Sequence, residues 1–530
     1  MSCANTSTSV TAGQCVPSFF QTPIVFGAEI NSIVANPVTN YTPPFFPFGT
    51  VNVSPTSATS LSFCNVTVSY THPGRGDNIS VTAWLPLTDS WNERMQSVGG
   101  GGWIAGGGNV PSIQKALFTG VAEGYASVTT DAGLYKPSDG AILTAEIWGL
   151  LSPGNVNINY LENLGTRSLY DQAIIGKSIT SDFYGKKPKK SYWNGCSQGG
   201  RQGMMLAQRY PDLYDGIAAA APAVNWNYIF FTMFYPQLIM NLAGQYPQGC
   251  ELDAITAAAI SACDGLDGVV DGVISNPEEC HFDPYTMVGK VFNCSGKDTQ
   301  ISEIAATVAN VTWTGPKTAG GVNVWSGPQI GSDISGTFSG VGTAGTNCTS
   351  GTCVGQPQSL STDWLNYLVQ KDPNFDYTNI THEQYDDMFH AALQEYTSSI
   401  ETADPDLSRF RASGGKIITY HGLADNLIPV GGSVHYYDAV TALDSNVKDF
   451  YRLFLAPGVY HCAGGPGGVP LTGLSELVKW VEDGTAPETL PVNFTAASGT
   501  NFNQILCPYP AKAVFTSGSD PTVASSYTCA

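Results

Sequence analysis

Charged residues are scarce in this sequence, since Asp, Glu, Lys and Arg make up only 12% of its 530 residues, about half the usual level. Basic residues are the scarcer kind, with 23 Lys and Arg against 43 Asp and Glu, and the formal net charge is −20. Such a charge repels phosphate backbones and anionic membranes. We therefore expect no nucleic-acid partner and no membrane partner.

The sequence also lacks an apolar run of about 18 residues, so no segment is long enough for a transmembrane helix. Its start, Met1-Ser2-Cys3-Ala4-Asn5, has neither the basic residues nor the apolar stretch of a signal peptide. We interpret the sequence as a mature chain that carries an added initiator Met. A CxxC pair of the metal-binding type is absent as well.

The 13 cysteines are too many for a typical cytosolic enzyme, and they indicate a disulfide framework formed in an oxidising compartment. Cys3 is our candidate for the cysteine that the odd count leaves unpaired. Ten N-x-S/T sequons support a secreted, extracellular glycoprotein. The candidate glycosylation sites are Asn65, Asn78, Asn293, Asn310, Asn347, Asn379 and Asn493.

Short apolar strands alternate with helical segments in the first and last parts of the sequence. Strands are predicted at Asn65–Thr71, Ile79–Leu85, Met95–Val98, Tyr125–Thr130, Lys190–Asn194, Lys416–Tyr420 and Phe450–Leu455, and helices at Thr166–Thr180, Gly200–Tyr210 and Leu474–Val481. This alternation predicts an α/β fold with a parallel sheet that helices cover on both faces.

The character of the sequence changes between residues 226 and 404. An aromatic stretch at 226–235 is followed by a section rich in Cys, Asp and Gly, by a Gly/Ser/Thr-rich section and by a helical stretch at 362–400. We predict that 226–404 is an insertion that forms a lid domain. Residues 1–225 and 405–530 would together form the catalytic domain.

Ser197 is the candidate nucleophile. It lies in Gly195-Cys196-Ser197-Gln198-Gly199, a G-x-S-x-G segment with a predicted strand before it and a helical segment after it. This context is typical of a serine exposed for attack on a carbonyl, whereas the segment alone is an ordinary Gly turn.

Two backbone N–H groups are candidates for an oxyanion hole beside this serine. One belongs to Gln198, and the second to the glycine run that directly follows a predicted core strand. Within that run we favour Gly102, then Gly101. Such donors lower the barrier by roughly 3–4 kcal/mol each.

Asp425 and His461 are the candidate acid and base. Asp425 follows a strand and a His-Gly turn, and His461 follows a later strand and precedes a cysteine. The resulting order Ser–Asp–His is that of α/β-hydrolases. Less suitable alternatives are Asp438 and Asp444, in helical or loop context, His435, which does not follow a strand, and His421, which precedes Asp425.

Two cysteines connect the serine with the histidine. Cys196 precedes Ser197, and Cys462 follows His461. A disulfide would hold the two cysteine Cα atoms roughly 4.4–6.8 Å apart, so it would bring nucleophile and base together from distant parts of the chain. This pairing predicts a serine hydrolase.

The loop from Cys263 to Ile274 is a second dense motif. Its carboxylates, Asp264, Asp267 and Asp271, stand among glycines, as a hard cation such as Ca²⁺ requires. Their spacing differs from that of an EF-hand, so the pattern alone leaves calcium and simple Asx turns open. Cys263 and Cys280 bracket the loop and could close it.

In these motifs the sequence resembles the fungal tannase and feruloyl esterase family of secreted α/β-hydrolases, over nearly the whole chain. The resemblance is carried by Cys64-Asn-Val-Thr-Val-Ser-Tyr-Thr-His72, the run Gly99–Gly102, Gly195-Cys-Ser-Gln-Gly-Gly200, Cys263-Asp-Gly-Leu-Asp-Gly268, His421-Gly-Leu-Ala-Asp425 and Tyr460-His461-Cys462. It implies an α/β-hydrolase core with a large inserted lid, and a triad of Ser197, Asp425 and His461 beside a Cys196–Cys462 disulfide.

The resemblance also implies a structural calcium ion in the lid. Its ligands would be the side chains of Asp264, Asp267 and Asp271 and the carbonyls of Val269 and Val273. Further disulfides suggested by the resemblance are Cys263–Cys280 and Cys507–Cys529, and for the N-terminal cysteines we favour Cys15–Cys64.

Members of this family differ in the acyl group that they release. The predicted lid has no Lys-Arg or Arg-Arg pair, whereas fungal tannases often carry a basic processing site there. We therefore favour a feruloyl esterase that frees ferulic and related hydroxycinnamic acids from plant cell-wall esters, including those of xylan. Its substrate would be a small aromatic ester or a feruloylated oligosaccharide. The alternatives are a tannase that cleaves galloyl esters, and a non-catalytic extracellular binding protein on a hydrolase fold.

Overall fold

The computed structural model describes residues 12–44, 52–87, 90–134, 144–294, 296–349 and 351–530. A central nine-stranded sheet organises these residues. Its strands are β1 (Glu29–Tyr41), β2 (Leu61–Thr71), β3 (Ile79–Pro86), β4 (Arg94–Val98), β5 (Ala126–Thr130), β8 (Lys190–Cys196), β9 (Gly216–Ala220), β14 (Lys416–Gly422) and β15 (Tyr451–Ala456). Small hairpins are formed by β6 (Leu150–Ser152) with β7 (Asn155–Val156), β10 (Val291–Cys294) with β11 (Lys297–Gln300), β12 (Thr346–Thr349) with β13 (Thr352–Gly355), β16 (Leu490–Thr495) with β17 (Asn501–Leu506), and β18 (Ala513–Phe515) with β19 (Tyr527–Cys529).

The central sheet is mixed, with the strand order β1-β2-β3-β5-β4-β8-β9-β14-β15. The pairs from β5 through β4 to β15 are parallel, as the sequence predicts. The pairs β1–β2, β2–β3 and β3–β5 are antiparallel, which the sequence analysis did not predict. The short turn between Thr71 and Ile79 explains the β2–β3 pair, because a parallel neighbour needs a crossover of a dozen or more residues.

Helices cover both faces of this sheet. In the described residues the α-helices are α1 (Pro111–Ala122), α2 (Ile158–Glu162), α3 (Ser168–Tyr184), α4 (Gln198–Arg209), α5 (Trp226–Ala243), α6 (Gly249–Cys263), α7 (Glu303–Thr314), α8 (Ser359–Asp363), α9 (His382–Tyr396), α10 (Ser408–Ala412), α11 (Gly431–Leu443) and α12 (Gly473–Asp483). Ile217 and Ile417 pack with α3, α4 and α11, whereas their neighbours Ala218 and Ile418 pack with α12. Because successive strand residues point to opposite faces, this alternation places the two helix groups on opposite faces.

Between β9 and β14 the described chain adds no strand to the central sheet. Here α5 is buried along most of its length, and its aromatic residues pack with three tryptophans from outside the helix: Trp103, Trp148 and Trp364. Trp103 directly follows the glycine run after β4 and stacks on Phe230 at a centroid distance of 5.1 Å. The segment is therefore packed directly against the loop that follows β4.

Six disulfides link cysteines of the described residues. Cys15–Cys64, Cys196–Cys462, Cys263–Cys280 and Cys507–Cys529 are the pairings that we expected, and Cys250–Cys294 and Cys348–Cys353 are additional. Cys348 and Cys353 face each other across the β12–β13 hairpin. Cys3 lies outside the described residues, so its unpaired state stays a prediction.

The candidate glycosylation sites differ in exposure. Asn78, Asn293, Asn347, Asn379 and Asn493 are exposed, and Asn65 and Asn310 are half-buried. The sequon at Asn52 is different, because Asn52 is fully buried and its Nδ2 donates to Asn194 Oδ1 at 2.8 Å. A glycan at Asn52 is incompatible with this packing.

A buried charge network joins the β2–β3 turn to α3. His72 Nδ1 lies 2.7 Å from Asp77 Oδ2, and His72 Nε2 lies 3.0 Å from Asp171 Oδ2. Burial opposes protonation of His72, but hydrogen bonds to Asp171 and Asp77 outweigh it and raise the pKa of His72 to about 9. The imidazolium is thus the counter-charge of two buried carboxylates.

Replacing His72 by Asn should lower the free energy of unfolding by about 3–5 kcal/mol, because it leaves two buried carboxylates without their cation. Chemical denaturation monitored by circular dichroism measures this change, with His390→Asn on the exposed surface of α9 as the control. The stabilisation is complete below the unfolded pKa of about 6.5. It is lost as pH rises through the folded pKa of about 9, so the difference between wild type and variant should shrink there. An equal difference at pH 7 and pH 10 would contradict this assignment.

Candidate active site

Ser197 occupies a strained turn between β8 and α4. Its backbone has φ 62° and ψ −122°, a conformation that non-glycine residues rarely adopt. The glycines beside it make this turn possible: a Cβ on Gly195 would lie 2.5 Å from the backbone of Gly199, and one on Gly200 would lie 2.4 Å from Ala220 O. The G-x-S-x-G-G sequence is therefore a steric requirement of the turn.

His461 and Asp425 come together from the loops that follow β15 and β14. His461 Nδ1 lies 2.8 Å from Asp425 Oδ2. Asp425 Oδ1 accepts the N–H groups of Leu427 and Ile428, both at 2.9 Å. The carboxylate is thus oriented by backbone amides, and its contact with Nδ1 leaves His461 Nε2 for another partner.

His421 is a further partner of Asp425 that the sequence analysis did not assign. His421 Nε2 lies 3.1 Å from Asp425 Oδ2 and 2.9 Å from Ile428 O, and its Nδ1 lies 2.8 Å from Ser433 Oγ. Because Nε2 faces two acceptors, we assign its proton there. Burial opposes ionisation of Asp425, but His461 and His421 outweigh it and hold the pKa of this carboxyl below its ordinary value.

The Cys196–Cys462 disulfide joins β8 to the loop that carries His461. Its Cα atoms are 5.9 Å apart across a sequence separation of 266 residues. Tyr420, from the end of β14, donates its hydroxyl to Cys462 O at 2.5 Å. The disulfide therefore holds Ser197, which follows Cys196, in the same region as His461, which precedes Cys462.

The glycine run after β4 lies against the Ser197 turn. Gly99 donates to Asn194 O at 3.1 Å, and Gly100 donates to Gln202 Oε1 at 2.9 Å. A Cβ on Gly99 would lie 2.6 Å from Gly199 Cα. The N–H groups of Gly99 and Gly100 are therefore engaged, and Gly101 and Gly102 continue the run from this contact.

Asn426 connects the 333–341 loop, which lies in the segment inserted between β9 and β14, to His461, and no feature of the sequence predicted this. Asn426 is fully buried, and its Oδ1 accepts the backbone N–H of His461 at 3.4 Å. Its Nδ2 donates to Val341 O at 2.5 Å and to Ser339 Oγ at 3.1 Å. The backbone of His461 is thus linked to the inserted segment by a single carboxamide.

The alternative acids and base lie in other surroundings. Asp438 Oδ2 accepts the hydroxyl of Tyr509 at 3.4 Å, and Asp444 pairs with Arg411. His435 packs edge-on against Trp325. Asp425 is therefore the carboxylate that the structure brings to His461.

The acidic loop 264–273 is folded around its own carboxylates. Asp264 accepts the N–H groups of Asp271 and Gly272, both at 3.0 Å, and Gln504 Nε2 donates to Asp271 at 3.0 Å. Burial, and then the charges of Asp267 and Asp264, raise the pKa of Asp271 to about 6 against the opposing Gln504 hydrogen bond. No group of three or more His, Cys, Asp or Glu side chains in the described part of the chain is arranged to hold a metal ion.

A cavity of about 300 Å³ lies between this loop, β17 and the start of α11. Its lining includes Asp267, Val273, Leu423 and Val430, but neither Ser197 nor His461. We therefore do not assign the acyl group of a substrate to it.

Comparisons with known proteins identify the family. The family model described as tannase and feruloyl esterase matches residues 64–530. A probable feruloyl esterase of Arthroderma benhamiae is 40% identical over 96% of this chain and 92% of its own, and a tannase of Aspergillus oryzae is 30% identical over 87% and 85%. The solved structure of a tannin acyl hydrolase from Aspergillus niger superposes with a TM-score of 0.86 at 28% identity, covering 99% of this chain and 96% of that one. With an α/β-hydrolase core and this degree of similarity, the chain belongs to the tannase and feruloyl esterase family of carboxylic ester hydrolases.

Proposed function

We propose that this esterase hydrolyses aromatic acyl esters through a triad of Ser197, His461 and Asp425. The observation that carries the proposal is the His461–Asp425 contact on a loop that the Cys196–Cys462 disulfide fixes to the strand preceding Ser197. Ser197 Oγ attacks the ester carbonyl while His461 Nε2 takes its proton. Asp425, accepting from Nδ1–H, orients the imidazole and stabilises the imidazolium that forms.

Negative charge develops on the carbonyl oxygen in this step, and two backbone N–H groups receive it. The first belongs to Gln198, at the N-terminus of α4. The second belongs to the glycine run after β4; Gly99 and Gly100 already donate elsewhere, so we favour Gly102, then Gly101, for this role. His461 returns its proton to the leaving alcohol, and water then releases the acid from the acyl-enzyme.

We propose that the acid is ferulic acid or a related hydroxycinnamic acid, released from plant cell-wall esters. The relative at 40% identity, named a probable feruloyl esterase, supports this acyl group. A tannase is the second candidate, supported by the solved tannin acyl hydrolase from Aspergillus niger.

The proposed setting is extracellular, which the disulfides and the exposed sequons support. Among the described helices, none combines the length and apolarity needed to cross a bilayer.

Replacing Ser197 by Ala should reduce kcat on methyl ferulate by more than roughly 10⁴-fold, because the nucleophile is lost. A fluorophosphonate probe should label the wild type and not this variant, as mass spectrometry of the labelled peptide shows. Ser475→Ala, on the exposed side of α12, is the control and should keep full activity. A higher kcat/KM for methyl ferulate than for methyl gallate identifies the feruloyl esterase, and the reverse order identifies the tannase. Labelling at another serine would refute the assignment.

Removing the disulfide beside the triad should impair catalysis more than folding. In the double variant Cys196→Ala/Cys462→Ala we expect kcat to fall roughly 100-fold, since a displacement of about 1 Å costs that much. The matched control is Cys507→Ala/Cys529→Ala, which also opens a native loop and should lower the melting temperature while kcat stays the same. Full turnover in the Cys196/Cys462 variant would show that the disulfide does not position the triad.

We also propose that the loop 264–273 binds a structural calcium ion through the side chains of Asp264, Asp267 and Asp271 and the carbonyls of Val269 and Val273. In this structure the three carboxylates accept N–H groups of their own loop and do not form a ligand set, so binding would turn them toward the ion. Two observations support it. Asp264 and Asp271 are buried, and burial, followed by the charges of Asp267 and Asp264, raises the pKa of Asp271; a cation would relieve this repulsion. The Cys263–Cys280 disulfide closes the loop. No catalytic step involves this ion.

After treatment with EGTA, added Ca²⁺ should raise the melting temperature measured by scanning calorimetry. The gain corresponds to about 2.7 kcal/mol at a calcium concentration 100 times Kd. Asp271→Asn should abolish the calcium response. The control Asp333→Asn removes a different buried carboxylate, one that accepts N–H groups of its own loop, and should lower stability without changing the response. An unchanged melting temperature in the wild type would refute the site.

A further inference from the structure

Arg201 is a fully buried cation in α4 that no step of the proposed mechanism uses. It lies one helical turn beyond Ser197, whose carbonyl accepts the Arg201 backbone N–H at 2.9 Å. Burial lowers the pKa of Arg201 to about 9, against the opposing charge of Glu401, so the guanidinium stays charged at neutral pH. Burying such a group is costly unless its donors are satisfied.

The guanidinium is held by neutral acceptors from three segments. Nε donates to Gln198 Oε1 at 2.6 Å. Nη1 donates to Gly165 O at 3.0 Å and Nη2 to Leu164 O at 2.8 Å. These two carbonyls belong to the π-helical turn Asn163–Arg167, a rare geometry that is frequent at functional sites.

Both ends of the inserted segment also meet at this guanidinium. Nη1 donates to Thr402 Oγ1 at 3.1 Å, near the end of the segment. Trp226, at its start, lies under the guanidinium with its ring centroid 5.4 Å away. Thr402 N in turn donates to Val224 O at 3.0 Å. The points where the chain enters and leaves the inserted segment therefore lie side by side.

The contact with Gln198 fixes the orientation of its carboxamide. A guanidinium has donors only, so the oxygen of Gln198 must face Arg201. Gln198 is 1% exposed, and within the described residues its Nε2 has no hydrogen-bond partner. Arg201 is therefore the group that determines how this side chain lies.

We propose that Arg201 is a positioning residue for the oxyanion donor, acting through the Gln198 side chain, and that the two ends of the inserted segment hold Arg201 in place. The Gln198 N–H directly follows Ser197, so a fixed Gln198 side chain restricts the direction of that N–H. This inference rests on the proposed function of Ser197 and Gln198. It predicts an effect in the transition state, where the oxyanion exists, and little effect on substrate binding.

Arg201→Lys keeps the positive charge but loses the planar guanidinium with its fixed N–H donors, and Arg201→Met loses both the charge and the donors. For both variants we expect kcat on methyl ferulate to fall roughly 10- to 100-fold, with KM within about threefold of the wild type. Fluorophosphonate labelling counts the active sites in each preparation. Absence of labelling at Ser197 in the wild type would refute the proposed function and this inference with it, whereas normal labelling with unchanged kcat in both variants would refute the inference alone.

The matched control is Gln208→Met in the same helix. Gln208 Nε2 donates to Thr402 O and to Tyr436 Oη, both at 2.8 Å. This variant therefore loosens the same junction without touching Gln198, and its kcat should stay within about twofold of the wild type. An equal loss of kcat in Gln208→Met would show that general loosening, and not the Gln198 contact, is responsible.

A double-mutant cycle covers the case in which the Arg201 variants fold poorly. Gln198→Ala keeps the backbone N–H but removes the carboxamide that Arg201 holds, and it buries no new charge. It should reproduce the loss of kcat with KM unchanged, and adding Arg201→Met should then cost less than about twofold more. Full kcat in Gln198→Ala, or additive losses in the double variant, would overturn the proposal.

Discussion

The strained backbone of Ser197 is the constraint on which the rest of the site depends. Both of its peptide groups are fixed: its N–H donates to Ala220 O at 3.0 Å, and its carbonyl accepts from the N–H groups of Arg201 and Ala223. A positive φ persists only where the surroundings determine it in this way. The turn ends β8 at Cys196 and starts α4 at Gln198, so the backbone that carries the hydroxyl and the backbone that carries the Gln198 N–H are fixed together.

The inserted segment is connected to this turn by polar contacts as well as by apolar packing. Asn426 joins its 333–341 loop to the backbone of His461, and Arg201 joins both of its ends to α4. Buried polar groups of this kind favour one arrangement of the packed segments, because an unmatched donor or acceptor in the interior is costly. These contacts hold the inserted segment against α4 and the His461 loop. Its aromatic residues, which are buried around Trp103, supply the apolar area of the same contact.

The sequence was informative where a local pattern has a local cause. Alternating strands, the G-x-S-x-G context and the cysteines next to Ser197 and His461 predicted the α/β-hydrolase core. The contact of Asp425 with His461 and the Cys196–Cys462 disulfide are present in the structure, and the triad with Ser197 stays a prediction. The antiparallel strands at one edge were missed, although the short turn after Thr71 indicated the first of those pairs. His421, four residues before Asp425, was weighed only as a base and not as a partner of that carboxylate. Asn426 and Arg201 were not predicted as site residues, because their contacts join segments that only the folded chain brings together. The local pattern of a single sequence carries no signal for such contacts.

The disulfide and the Asp425 contact restrict different degrees of freedom of His461, so neither replaces the other. A link between Cα atoms 5.9 Å apart fixes where the backbone of the His461 loop lies, but it leaves the imidazole free to rotate. The hydrogen bond from Nδ1 fixes the ring, provided that the carboxylate itself cannot rotate. Asp425 meets this condition because the N–H groups of Leu427 and Ile428 hold its other oxygen. The orientation of His461 therefore depends on backbone amides in the loop that follows β14, and this loop is positioned by a central strand of the sheet.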